Sequence, residues 1–194
     1  MPITNYINEL LNSFINNKSV PNIYNEASFQ LELTIFLRVN LYKQYIIEIE
    51  RNINDLYPNQ ESPKINFLKR DIDIVIKKNG EDKKYAIELK FGSDKEIPDK
   101  MFETCKDIAF LEQLKSNNFS SCFSFFITKC DSYYSLKRTN NGIYKIFRET
   151  RSICGDIYLK KEKKEKKITV KGNYNINWQI AQNNSKFHYF IITI

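Results

Sequence analysis

The sequence predicts a mixed α/β fold in which a mixed β-sheet is flanked by helices. In residues 72–76 and 85–91, every second side chain is large and apolar, as expected when the two faces of a strand have different surroundings. Residues 26–40 and 102–115 instead place apolar side chains at helical spacing. The nearly continuous apolar run 121–129 is typical of a central strand that is covered on both faces.

Two helices, one strand and a loop are predicted ahead of the first of these strands. Apolar residues mark one face of an N-terminal helix within 1–17, and the second helix follows at 26–40. Residues 45–51 alternate and predict a strand. Residues 52–69 contain two prolines, which interrupt regular structure, and they predict a loop.

The strands on either side of residue 80 are predicted to form a hairpin. Asn79 and Gly80 are a strong short-range turn signal, because both tolerate positive φ angles. If they are the two central turn residues, Lys78 pairs with Glu81 and paired residue numbers sum to an odd value. A longer loop that keeps odd sums preserves the same faces, whereas a slip by one residue exchanges them.

The odd-sum register brings three charged residues, Asp73, Glu88 and Lys90, onto one face. Two carboxylates held a few ångströms apart repel each other unless a cation lies between them. Mg2+ prefers carboxylate and water oxygens, and it commonly accompanies substrate phosphates. Lys90 lies about 7 Å beyond Glu88 along the strand, where a lysine can orient or deprotonate water or neutralise charge on a phosphate. The three residues together predict a phosphodiester-hydrolysing site, whereas Glu88 and Lys90 alone would be better explained as a solvated ion pair on a surface hairpin.

The chain after the hairpin is predicted to add a helix, a strand and a C-terminal β-rich extension at about 155–194. In that extension, 167–180 and 186–194 predict antiparallel strands that are joined by a short polar turn. At 194 residues, the chain is long enough to bury an adequate core. We therefore expect a single domain, 1–194.

The composition indicates a folded protein with a mild preference for polyanions. Lysine and arginine total 30 against 23 acidic residues, which gives a net charge of +7. Four cysteines without C-x-x-C spacing and a single histidine, His188, disfavour a zinc site and histidine-based catalysis. We expect reduced thiols in a cytoplasmic protein, without a signal peptide or a membrane-spanning segment. The lysine-rich segment 160–167 is either solvated or an arm that contacts phosphates.

The spacing of the charged residues resembles that of the PD-(D/E)XK nuclease superfamily. Asp73-Ile-Val-Ile is followed fifteen positions later by Glu88-Leu-Lys90. The superfamily carries a metal-binding Asp on one core strand and (Asp/Glu)-x-Lys on the next. The strings NEASFQLELTIFLR, RDIDIVI, YAIELKF and DIAFLEQLK are also similar to a group of uncharacterised bacterial members. Ile72 stands where the superfamily has its nominal proline, and Asp71 is a second candidate for the first acid.

The resemblance covers about 25–130 and implies a restriction-endonuclease-like core over these residues. It also implies a Mg2+-dependent DNA endonuclease of restriction or defence type, with Mn2+ able to substitute. Asp73, Glu88 and the main-chain carbonyl of Leu89 would hold the metal ion, and Lys90 would lie beside the attacking water.

Superfamily members often add a carboxylate from the first core helix. Glu32 is preferred over Glu26 for this role, because a charge in the middle of a helix among apolar neighbours needs a partner. A repair or recombination nuclease, an RNA nuclease and a non-catalytic nucleic-acid-binding module of the same fold remain open alternatives. So does a homodimer.

Overall fold

The computed structural model describes most of the chain. The described residues are 3–17, 23–56, 66–136, 142–161, 164–182 and 184–194. The helices are α1 (Ile3–Asn16), α2 (Glu26–Leu41), α3 (Ile97–Ser116) and the short α4 (Ile143–Lys145), which continues as a π-helical turn, Ile146–Thr150. The strands are β1 (Tyr45–Asn52), β2 (Asp71–Lys78), β3 (Lys84–Gly92), β4 (Phe119–Thr128), β5 (Ser152–Lys161), β6 (Lys164–Asn175), β7 (Gln179–Ile180) and β8 (His188–Thr193).

Within the described residues, six strands form one mixed sheet in the order β1-β2-β3-β4-β8-β7. Neighbouring strands are antiparallel except for β3 and β4, which run parallel because α3 crosses over between them. Strands β5 and β6 pair only with each other. The structure thus confirms the predicted mixed sheet flanked by helices.

The β2–β3 hairpin keeps the predicted faces and a turn at Asn79 and Gly80, but the strand pairing differs. The amide of Glu81 closes this turn by donating to the carbonyl of Lys78 at 3.3 Å. Lys77 lies opposite Lys84, and the amide of Lys78 donates to the carbonyl of Lys83 at 3.0 Å. As partners across the two strands, Lys78 and Glu81 are therefore wrong, since the loop between paired residues is two residues longer than predicted. Its register still gives odd sums. Gly80 alone in this loop has a positive φ, +74°, so the turn needs only one residue that tolerates this conformation.

Helices cover both faces of the sheet. The face beneath α1 and α2 buries a large apolar cluster, in which Phe29 and Leu33 of α2 pack on alternate residues of β2 and β3. Helix α2 begins at a capping box: the side chain of Asn25 accepts from the amide of Ser28, and the Ser28 hydroxyl accepts from the amide of Asn25. Helix α3 covers the opposite face and is itself covered by the β5–β6 hairpin, so apolar residues line more than one of its sides.

The C-terminal prediction is correct next to the turn, where 179–180 pair antiparallel with the last strand, but it is wrong for the preceding residues. Residues 167–175 do not pair with the last strand but belong to β6, whose partner is β5. The last strand, β8, pairs with β4 inside the main sheet, and only the two-residue β7 joins it on the other side. Strand β8 is therefore part of the main sheet. Its apolar residues extend the buried surface beside β4. Most of the predicted loop, 57–65 with both prolines, lies outside the described residues.

Candidate active site

The predicted charged residues lie on the face of the sheet that α3 covers. Ala86 of β3 packs in the same apolar cluster as Phe110 and Leu111 of α3. Glu88 and Lys90 follow Ala86 at intervals of two, so their side chains project to the same side. Both are buried, with 1% and 8% of their surface exposed. The sheet therefore carries its charges beneath α3 rather than on an open surface.

Asp73 joins this cluster through a contact with the main chain of β3. Its Oδ2 accepts a hydrogen bond from the amide of Leu89 at 2.7 Å. Burial raises the pKa of the Asp73 carboxyl to about 6, against the lowering effects of Lys69 and of this hydrogen bond. Asp73 thus carries a costly charge at neutral pH, a feature that is common at functional sites.

The main chain at Asp73 is irregular. The β1–β2 register pairs Ile74 and Ile72 with residues of β1, but it omits Asp73. Opposite it, Glu50 has a left-handed φ of +48°. The side-chain amide of Gln30 in α2 donates to the Asp73 carbonyl at 2.9 Å and to the Glu50 carboxylate at 2.7 Å. This link ties α2 to the strand position that presents the first acid.

Glu88 is the most deeply buried acid of the cluster. Its Oε2 bonds to the ammonium group of Lys69. Its Oε1 is buried without a hydrogen-bond partner among the described residues. Burial, followed by the charges of Asp73 and Asp107, raises the pKa of Glu88 well above its usual value. A buried carboxylate oxygen without a donor is unusual, and a cation would satisfy it.

Lys90 is held by two carboxylates. Its Nζ lies 3.3 Å from Oε1 of Glu26 and 3.4 Å from Oδ2 of Asp107. Burial by itself would lower the pKa of Lys90, but Asp107 and Glu26 more than offset this effect, and the pKa lies above its usual value. Lys90 is therefore a fixed ammonium group at neutral pH.

These contacts bring Glu26, and not the preferred Glu32, to the cluster. Glu26, in the first turn of α2, accepts from the amide of Phe91 at 3.2 Å as well as contacting Lys90. Glu26 and Gln30 are four residues apart and share the face of α2 that meets the cluster. Glu32 points about 200° away from Gln30 around the helix, at the boundary of the core. The mid-helix position of Glu32 among apolar residues does not predict contact with the cluster, because it is the first turn of α2 that meets β3.

Two further residues complete the cluster, and the sequence did not single out either of them. Asp107 of α3 is 4% exposed and contacts both lysines, with its Oδ1 3.0 Å from Nζ of Lys69. Lys69 lies in the segment that leads into β2. The sequence does contain a signal for Asp107. Residues three and four positions later, Phe110 and Leu111, are apolar, and a helical residue with such neighbours lies on the side that faces the core.

The cluster offers carboxylates for a cation but is not arranged as a metal site. Among the described residues, no group of three or more His, Cys, Asp or Glu side chains is placed to hold a metal ion. The Oε1 atom of Glu88, which has no hydrogen-bond partner among these residues, and the proximity of Asp73 fit a hard cation. The metal site formed by Asp73, Glu88 and the carbonyl of Leu89 therefore stays a prediction.

Other predicted features lie outside this cluster. All four cysteines are free thiols, and Cys105 and Cys122 are buried. His188 stacks on Tyr134, with 3.8 Å between the ring centroids. No helix in the described part of the chain is long and apolar enough to cross a membrane. Comparisons with protein-family models, with curated protein sequences and with solved structures gave no match.

Proposed function

We propose that this protein is a metal-dependent phosphodiesterase that acts on nucleic acid, as a DNA endonuclease of a restriction or other defence system. The observation that carries this proposal is the meeting of Asp73, Glu88 and Lys90 beneath α3, with Glu88 Oε1 buried and without a hydrogen-bond partner among the described residues. The order of elements from α2 to β4 also agrees with the order that the PD-(D/E)XK superfamily uses.

The residues divide the chemistry between binding a cation and stabilising charge. Asp73, Glu88 and the main chain of Leu89 would hold Mg2+ or Mn2+, which prefer such oxygen ligands. When bound, the ion polarises a phosphate oxygen and activates water.

The ammonium group of Lys90 supplies positive charge for the phosphate as it becomes more negative. Because Asp107 and Glu26 keep its pKa above the usual value, Lys90 acts as a cation and not as the base that removes a proton.

The expected substrate surface is basic. The net charge is +7, and Lys160 and Lys166 near the tip of the β5–β6 hairpin are exposed. Lysines in such a position contact phosphates without regard to base sequence. This hairpin packs on the outer side of α3, the helix that supplies Asp107 to the cluster.

Nicking of supercoiled plasmid DNA with and without Mg2+ tests the proposal. Wild-type protein should nick or linearise the plasmid only with Mg2+ or Mn2+, and Lys90→Ala should lose cleavage by about 100-fold or more, because a charge-stabilising group is removed. Lys77→Ala is the matched control, since Lys77 lies on the neighbouring strand and pairs with Glu48 at 2.7 Å. A structured RNA in a parallel reaction separates DNA from RNA hydrolysis. Equal cleavage by wild type and Lys90→Ala would refute the proposed role of the cluster.

A second candidate function is a non-catalytic nucleic-acid-binding module. The contacts of Lys69 with both Glu88 and Asp107 favour it, because an ammonium group then neutralises the acids without a metal ion. A salt-dependent gel shift together with no cleavage in either Mg2+ or Mn2+ would favour this module over the nuclease.

A further inference from the structure

Among the described residues, Lys69 is the one lysine that contacts two buried acids of the candidate site, one on the sheet and one on α3. Its Nζ contacts Oε2 of Glu88 on β3 and lies 3.0 Å from Oδ1 of Asp107 on α3. The ammonium group also lies 5.8 Å from the centroid of the Phe110 ring. It therefore lies between the sheet and α3, where the carboxylates converge.

The acids of the site outnumber its lysines. The charges of Asp73 and Asp107 raise the pKa of Glu88, and the charge of Asp107 also raises that of Asp73. Burial by itself would lower the pKa of Lys69, but Asp107, Glu88 and Asp73 together hold this pKa above its usual value. Lys69 is thus a positive charge that makes ionised Glu88 and Asp107 tolerable when no other cation is present.

We infer that Lys69 is an internal cation that competes with the divalent metal ion for Glu88 and Asp107, an inference that rests on the proposed function. It adds Asp107 to the carboxylates that face the metal position. It also makes withdrawal of Lys69 a step in metal binding. A divalent ion on the carboxylate oxygens that Lys69 contacts would lie beside its ammonium group, and like charges at short range in a poorly solvated site repel each other.

Lys69 is better placed to withdraw than Lys90. Its side chain is 24% exposed, whereas that of Lys90 is 9% exposed. Lys69 belongs to the non-helical, non-strand segment that precedes β2, whereas Lys90 is within a central strand. A flexible four-carbon stem lets an ammonium group at this position turn toward solvent. Lys90 would keep its place and its partners, Glu26 and Asp107.

Calorimetric titration of Mn2+ into protein without nucleic acid, at pH 8, tests this inference. Lys69→Met removes the charge and keeps a flexible apolar stem, so its affinity for Mn2+ should be about tenfold or more higher than that of wild type. Lys77→Met removes a lysine from β2 that pairs outside the cluster, and its affinity should match wild type. Glu88→Gln in the Lys69→Met background should abolish the gain, because it removes the shared carboxylate.

Thermal unfolding provides a second readout and a check on folding. Without metal, Lys69→Met should be less stable than wild type, because Glu88 and Asp107 lose their counter-charge. Saturating Mn2+ should raise its Tm more than that of wild type. Lys69→Gln, which keeps a polar group, replaces Lys69→Met in both measurements if the methionine variant does not fold.

The outcomes separate the inference from the proposed function. Measurable Mn2+ binding by wild type, with equal or weaker binding by both Lys69 variants, would overturn the competition and leave the nuclease proposal standing. Absence of Mn2+ binding in wild type but binding by Lys69→Met would support the competition in its strongest form. Absence of binding in every variant, together with absence of plasmid cleavage, would overturn both.

Discussion

Replacing Asp73 with asparagine should stabilise the protein, but only above about pH 4. The pKa of the Asp73 carboxyl rises on folding from its ordinary value of 3.8 to about 6, chiefly because the group is buried. The folded protein therefore binds this proton more tightly than the unfolded chain does. Below about pH 4 the carboxyl is mostly protonated in both states, so the substitution has little effect on the free energy of unfolding. The cost of ionising Asp73 in the folded protein grows as the pH rises from 3.8 to about 6.

The size of the effect follows from the same shift. A change from 3.8 to about 6, at about 1.4 kcal/mol for each pH unit, amounts to about 3 kcal/mol of the free energy of unfolding at pH 7. Asparagine keeps an oxygen that can accept the 2.7 Å hydrogen bond from the amide of Leu89. Asp73→Asn should thus approach this full gain, although it removes an acid that the proposed chemistry needs.

Urea unfolding in EDTA at pH 4, 5, 6 and 7 measures the effect. The difference in free energy between Asp73→Asn and wild type should be close to zero at pH 4 and should reach about 2–3 kcal/mol at pH 7. Asp71→Asn, at an exposed position two residues away, controls for the general effect of removing one negative charge. A difference that does not vary with pH, or an asparagine variant that is less stable at pH 7, would refute the assignment of Asp73 as a half-buried acid whose ionised form is unfavourable in the folded protein.

The remaining predictions concern the helix carboxylate, the basic hairpin and one close contact. Glu26→Gln should lower plasmid cleavage by about 10- to 100-fold by loosening its charged hydrogen bonds, whereas Glu32→Gln on the same helix should cleave like wild type. Neutralising Lys160 and Lys166 to glutamine should weaken binding in a gel-shift series and lower the slope of log affinity against log salt by about two; an unchanged slope would exclude them as phosphate contacts. Gly92→Ala would place its Cβ 2.7 Å from an aromatic carbon on β4 and should cost about 1–3 kcal/mol in urea unfolding, a loss that wild-type stability would contradict.

Local patterns in the sequence predicted the elements and the faces on which they present their side chains. Alternation over 72–76 and 85–91 predicted two strands, and the odd-sum register survived although the turn was longer than expected. Register parity is robust because a slip by one residue would exchange the apolar residues that pack under α2 with the charged residues that lie under α3. Asp73, Glu88 and Lys90 therefore share a side of the sheet for reasons that the sequence already contains.

The partners of those residues were decided by packing between segments that are distant in the chain. Glu26 meets Lys90 because the first turn of α2 lies over β3, and no local signal distinguishes that end from the middle of the helix. Asp107 reaches the site because α3 is buried between the sheet and the β5–β6 hairpin, so that it has no simple apolar stripe. Periodicity within a segment indicates which face is covered, but not which residue of another segment covers it.

The pairing of the C-terminal strands shows the same limit. The sequences of β6 and β8 are typical of strands, so both strands were predicted. Their partners were not, because β6 pairs with β5 and β8 pairs with β4. Strand propensity is a property of a segment, whereas the choice of partner depends on which edge of the sheet is free and which apolar surface remains to be covered. The sequence alone determined the strands and the acid–acid–lysine face. Only the tertiary structure placed Lys69 between two of the acids, because that contact joins a loop, a strand and a helix.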